Sequence, residues 1–225
     1  MMVFDFSKGF WRVFGAKLLE TLYKPSGFRY NFGFGTKDVR SVCKYYHDPE
    51  TREVLTWVIL SKHLRGDTHQ QTMKRIMKWL IDEYPVATYY SKDVGDRWNR
   101  PEETLASWTD RKEGRVPNIT TDCDDWGILI YNIARLCGVP KEDLRLCFMK
   151  TVGEWHLNVM HFVDRVPYAV EGTYYPSVAY QNYGFVPYFQ NLIIINGSRS
   201  PYYEGVRWLW NEDYLWANSG KLNEV

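Results

Sequence analysis

Cys123 stands in the run Thr121-Asp122-Cys123-Asp124-Asp125-Trp126-Gly127, directly ahead of an apolar helix pattern. His156 opens a later strand-like run, and Glu171 lies in the next one. A thiol, an imidazole and a carboxylate in that order are what a cysteine nucleophile, its base and an orienting acid require. A helix N-terminus favours thiolate through its unpaired N–H groups and partial positive charge. The N–H of Cys123 would also point where an oxyanion forms. Three flanking acids act the other way, since each disfavours a second negative charge. Asp122 is a natural N-cap, and Asp125, three residues on, completes a capping arrangement. Asp124 is left over, either solvated or part of a cation site whose charge would cancel the crowding.

Each of these residues has a plainer reading. Cys123 taken alone is a buried helix cysteine. His156 and His161 lie on opposite faces of one strand, with Leu157, Val159 and Val163 beside His161, and Asn158, Met160 and Phe162 beside His156. Periodicity does not choose between the two histidines, and either can be a satisfied structural one. Trp98 reads equally as a cleft or oxyanion residue and as core.

The elements that must position these groups follow from pattern and punctuation. Residues 10–22 repeat an apolar position every four and predict an amphipathic helix. Residues 30–35 are aromatic and glycine-rich and read as a loop; residues 54–64 read as helix or strand. Asp67 or Thr68 caps a helix to about residue 84, with Met73, Ile76, Met77 and Leu80 as its buried stripe. Pro101-Glu102-Glu103 suits the first turn of a short helix to about residue 108. The helix over 123–137 places Cys123, Trp126, Ile130, Ile133 and Cys137 on one face, and Gly138 ends it. Strands are expected over 144–151, 156–163, 168–174 and 192–195, with turns at Gly153 and Pro167.

Composition narrows the function classes. Among 225 residues, 45% are apolar, enough for a substantial core, and 28 basic against 27 acidic residues leave a net charge of +1. That balance gives no reason to expect nucleic acid or an anionic membrane as partner. The 17 Tyr and 10 Trp suit a ring-rich core, an aromatic groove or a protein interface. Cys43, Cys123, Cys137 and Cys147 form no CxxC or Cys/His pairing, which argues against zinc. No signal peptide or transmembrane segment is evident, so a cytoplasmic or virion location with reduced thiols is expected.

Three blocks resemble the transglutaminase-like cysteine protease superfamily, most closely its bacterial proteinase group and phage relatives. Asp96-Arg97-Trp98-Asn99-Arg100-Pro101-Glu102-Glu103 is similar to that group's W-x-x-P-E-E segment. Asp122-Cys123-Asp124-Asp125-Trp126, continuing to Gly138-Val139-Pro140, is similar to its D-C-[DE]-D-[YFW] helix and G-[IV]-P ending. His156-Leu157-Asn158-Val159 and Val170-Glu171-Gly172-Thr173 resemble its histidine strand and L-D-x-T strand. The resemblance implies Cys123 as nucleophile, His156 as base and Glu171 as orienting acid, with Glu171 departing from the family's usual aspartate. It implies Trp98 at the cleft or oxyanion site. Asp122 and Asp124 match positions that bind calcium in some bacterial members, while the chemistry itself requires no cofactor.

The expected fold is α+β: a papain/transglutaminase-like core with the cysteine-bearing helix packed on an antiparallel sheet, and an N-terminal helical arm. The division is an arm over 1–66, a core over 67–200 and an aromatic tail over 201–225 packing on the core. The expected function is thiol-dependent acyl chemistry on a peptide or protein substrate. The rival is a non-catalytic module of the same fold with a structural or assembly role, a phage virion component included, whose aromatic-rich ends bind assembly partners.

Overall fold

The computed structural model describes residues 36–85, 97–151, 155–163 and 203–218, and strands or single residues at 23–25, 30–31, 89, 91, 166–170, 185–189, 192–195 and 198–199. The helix expected over 10–22 and the turn at Gly153 lie outside the described residues. Strands β1 (Tyr23–Pro25), β2 (Tyr30–Asn31) and β3 (Thr36–Lys37) precede a 3₁₀ segment, Val39–His47. Helices α1 (Pro49–Ser61), α2 (His69–Glu83), α3 (Pro101–Lys112) and α4 (Cys123–Leu136) follow. Then come β4 (Leu144–Thr151), β5 (Trp155–Val163), β6 (Val166–Val170), β7 (Phe185–Phe189), β8 (Leu192–Ile195), β9 (Ser198–Arg199), β10 (Tyr203–Trp210) and β11 (Leu215–Asn218).

Local chemistry explains the helix limits. The Thr68 hydroxyl caps α2 by accepting from the Gln71 N–H, and Met73, Ile76, Met77 and Leu80 are fully buried, as their spacing predicts. Pro101 opens α3, and the Glu103 carboxylate accepts from the Arg100 N–H (2.9 Å). α3 runs on to Lys112, past the limit expected near residue 108. α4 closes with Gly138 at φ +100°, a conformation that a Cβ penalises. There Val139 N–H donates to Ala134 O and Gly138 N–H to Arg135 O (both 3.0 Å), a Schellman ending.

Among the described residues, nine strands form one antiparallel sheet in the order β1-β11-β10-β4-β5-β6-β7-β8-β9. β8 also lies against β10, so the sheet curls. The fold is therefore α+β, with the cysteine-bearing helix packed on the sheet. α4 lies between β4 and β5 on one side and the 3₁₀ segment and the other helices on the other. This accounts for a departure from the sequence pattern: α4 is buried all round from Asp124 to Ala134 rather than along one face. Pro167 is also not a turn residue; it lies in β6 opposite Phe162.

Residues 203–218 enter the sheet itself through β10 and β11, with β10 pairing β4 along its length. The turn after β10 is anchored from below. Glu212 is buried, forms an ion pair with Arg135 of α4 and accepts from the Tyr46 hydroxyl (3.0 Å). An ion pair removed from water is retained where both charges find further donors and acceptors.

Candidate functional site

α4 begins at a crowded acidic turn. Asp122 is its N-cap, and the Asp122 N–H donates to Asp125 Oδ2 (3.0 Å), the return contact that the spacing of the two acids predicts. The Asp125 N–H donates to Asp124 Oδ1 (3.0 Å). Asp125 has no exposure and accepts two further bonds from Asn99: main-chain N–H to Oδ1 (2.7 Å) and Nδ2 to Oδ2 (3.0 Å). Burial raises its carboxyl pKa, and the Asp122 charge adds to this, while the Asn99 and Asp122 N–H donors pull the other way.

Asn99 Nδ2 also donates to Thr120 O (2.9 Å), so the segment entering α3 is tied to the segment entering α4. Trp98, one residue earlier, is half-buried and stacks on Trp210 of β10, with ring centroids 5.9 Å apart and planes at 10°. Cys123 is half-buried at the first position of α4, and all four cysteines are thiols.

The contact between α4 and the sheet sets the level of the cysteine. A Cβ on Gly127 would come within 2.3 Å of Leu157 Cδ2 and 3.6 Å of Leu146 Cδ2, so helix and strand touch where only a hydrogen fits. Beyond the far end of α4 the chain returns through Lys141–Asp143 to Leu144, which pairs with His161. α4 therefore runs along β5 in the same direction. At roughly 1.5 Å per helical residue, Cys123 lies about 6 Å ahead of Gly127 along the helix, and at roughly 3.3 Å per strand residue, His156 and Trp155 lie about 3 and 7 Å ahead of Leu157 along the strand.

The two histidines separate along the strand and across it. His161 shares the face of Leu157, beneath α4, but at the helix's far end. Burial, with His69 at the start of α2 adding to it, pushes its imidazole down to about 4. His156 is fully buried at the second residue of β5 and shares with Asn158 and Met160 the face turned away from α4. Glu171 lies outside the described residues. Val170, just before it, pairs with Val159 of β5.

Asp122, Cys123 and Asp124 each place one ligand atom within 4.8 Å of the others. Both carboxylates are buried, at 8% and 4% exposure. Two buried carboxylates are the right kind of donor for a hard cation such as calcium, whereas a thiol is not. They do not complete a shell of about six to eight oxygens, so main-chain carbonyls and water would have to supply the remainder.

Two features escaped the sequence reading. Asn99 sits inside the Trp98–Glu103 block, but no periodicity marks a contact made across 26 residues. The other is a ladder of rings on β10, β4 and β5, built from Trp208, Phe148 and Trp155. Alternation puts these rings on the α4 side of the sheet only once the strand register is known.

No family model matches the chain, and no curated protein matches it. Among solved structures the chain is similar to LapG of Legionella pneumophila, at 15% identity over 80% of this chain and 88% of that one, with a TM-score of 0.47. It is similar to an EGTA-treated form of the same protein at 16% identity over 81% and 87%, TM-score 0.46. A calcium-bound form matches at 16% over 80% and 88%, TM-score 0.45. The fold rests on the sheet and helices described above, not on likenesses this loose. The phage and virion expectation gains no support from them. Among the described residues no helix is long and apolar enough to cross a membrane.

Proposed function

We propose that the chain is a transglutaminase-like cysteine enzyme acting by acyl transfer on a peptide or side-chain amide, with Cys123 as nucleophile, His156 as base and Glu171 as orienting acid. The observation that carries this reading is the placement of Cys123. It opens a helix enclosed between sheet and helices, and that helix touches the strand bearing His156 through Gly127 and Leu157. A helix N-terminus supports thiolate, and the first-turn N–H groups suit an oxyanion. The three sequence blocks supply the roles. The position of His161 at the far end of α4 supports His156 as base.

In the reaction, the Cys123 thiolate attacks the amide carbonyl, and a C–S bond forms as the C–N bond breaks. His156, holding the thiol proton, passes it to the leaving amine. Water then cleaves the thioester to a carboxylic acid and the thiol, or an amine takes the acyl group. Trp98, held beside the first turn of α4 through Asn99, lines the cleft in this reading. Asp122 and Asp124 would hold a cation whose charge offsets the acids beside the thiolate.

Alkylation of Cys123 by iodoacetamide across pH tests the reading. An enzyme shows a reactive thiol below the ordinary range, and His156→Ala slows the reaction at neutral pH by at least about tenfold. Cys123→Ala abolishes labelling at that position while changing stability by roughly 1 kcal/mol or less, because the residue is only half-buried. Alkylation of Cys123 that is slow and indifferent to His156→Ala would sink the proposal.

A further inference from the structure

Rings from three adjacent strands stack on the helix-side face of the sheet. Phe148 of β4 stacks on Trp155 of β5 at 5.0 Å and 13°, and on Trp208 of β10 at 5.3 Å and 28°. Trp155 and Trp208 face each other at 6.2 Å and 26°. The register agrees: Phe148 lies opposite Leu157 and Trp208, and Trp210 opposite Leu146, all on the face that Gly127 of α4 touches. Two residues along β10 from Trp208, Trp210 carries the stacked Trp98, so the rings continue to the Asn99–Asp125 tie at the first turn of α4. Trp155 keeps 46% of its surface exposed, although Leu157, two residues on and beneath the helix, is buried.

We infer that the Phe148–Trp155–Trp208 ladder is a substrate subsite, which takes an apolar, ring-bearing side chain of the peptide whose carbonyl meets Cys123. The inference rests on the proposed function and adds to it the class of side chain selected. Three considerations support that occupant. Trp155, the end of the ladder, stands two residues ahead of Leu157 on the strand face that Gly127 of α4 touches, so a peptide crossing the start of the helix meets it. Its exposed member is a tryptophan, and aromatic rings are favoured partners for other rings in offset or tilted stacks. The rings are braced on three adjacent strands, so binding a side chain there costs little ordering of the protein.

The test uses two thiol reagents on the full chain, iodoacetamide and its N-benzyl derivative, and reads the ratio of their rates at Cys123. A ring subsite makes the benzyl reagent faster by about tenfold, with saturation. Trp155→Ala brings the ratio close to that of a small thiol in solution. Trp155→Leu and Trp208→Leu, each checked by thermal melting, guard against misfolding. Taking a ratio cancels any effect of these changes on the thiol itself. A wild-type ratio near one, or a high ratio retained in Trp155→Ala and Trp208→Leu, overturns the subsite, while His156-dependent alkylation would leave the proposed function standing. A ring preference that disappears with Trp155, combined with alkylation indifferent to His156→Ala, supports the subsite and overturns the proposed function.

Discussion

Asn99 holds the Asp125 carboxylate with both its main-chain N–H, at 2.7 Å, and its side-chain Nδ2, at 3.0 Å, across 26 residues of sequence. This contact joins the Trp98 segment to the first turn of the cysteine helix. Asn99→Ala removes the Nδ2 donor and leaves a buried carboxylate short of a partner. The expected loss is about 1–3 kcal/mol in urea unfolding, with Asn99→Asp worse because it sets a second acid against the first. A change below about 0.5 kcal/mol for Asn99→Ala would show that water takes over the contact.

Gly127 and Leu157 predict a coupled pair. Alanine at 127 gains about 1 kcal/mol of helix propensity, but its Cβ meets Leu157 Cδ2 at 2.3 Å in a closed interior. Overpacking of this kind costs about 1–3 kcal/mol, so Gly127→Ala is neutral to destabilising and Gly127→Val clearly destabilising. Combining Gly127→Ala with Leu157→Ala gives a double mutant more stable than the sum of the single changes, as read in a thermal-melting cycle. Strict additivity would mean that α4 and β5 do not meet here.

His161 predicts acid lability. Its folded value of about 4 lies below the ordinary 6.5 because the imidazole is buried, so the unfolded chain binds this proton more readily than the native one. The stability is present in full above about pH 6.5 and is lost as pH falls from there towards 4, by up to roughly 3 kcal/mol. Unfolding free energies of the wild type and His161→Phe, measured at pH 7 and pH 4.5, should converge at the lower pH relative to their difference at the higher. Parallel curves would assign the acid loss to other groups.

Asp122 and Asp124 predict a cation effect. Millimolar calcium should raise the melting temperature and speed alkylation of Cys123, and both effects should vanish in Asp124→Asn. Isothermal titration with no heat at millimolar calcium would leave the two acids as caps and buried polar groups alone.

The local elements were legible because their causes are local. Thr68, Pro101, Asp122 and Gly138 mark helix ends through bonds made within a few residues, and the Met73–Leu80 stripe follows from the helical period. The same holds for the opposite faces of His156 and His161, which the pleat of a single strand dictates.

What only the tertiary structure decided involves partners far apart in sequence. Burial of α4 on every side needed three other helices and two strands to close around it. The turn placed at Pro167 moved because β6 pairs through that residue, and strand pairing is a contact between segments. The strand register aligned Trp208, Phe148 and Trp155 on one face. The residue types around Cys123 state what chemistry is available. How the start of α4 lies against β5 depends on where a helix rising about 1.5 Å per residue is laid along a strand rising about 3.3 Å, and the Gly127–Leu157 contact fixes one point of that alignment.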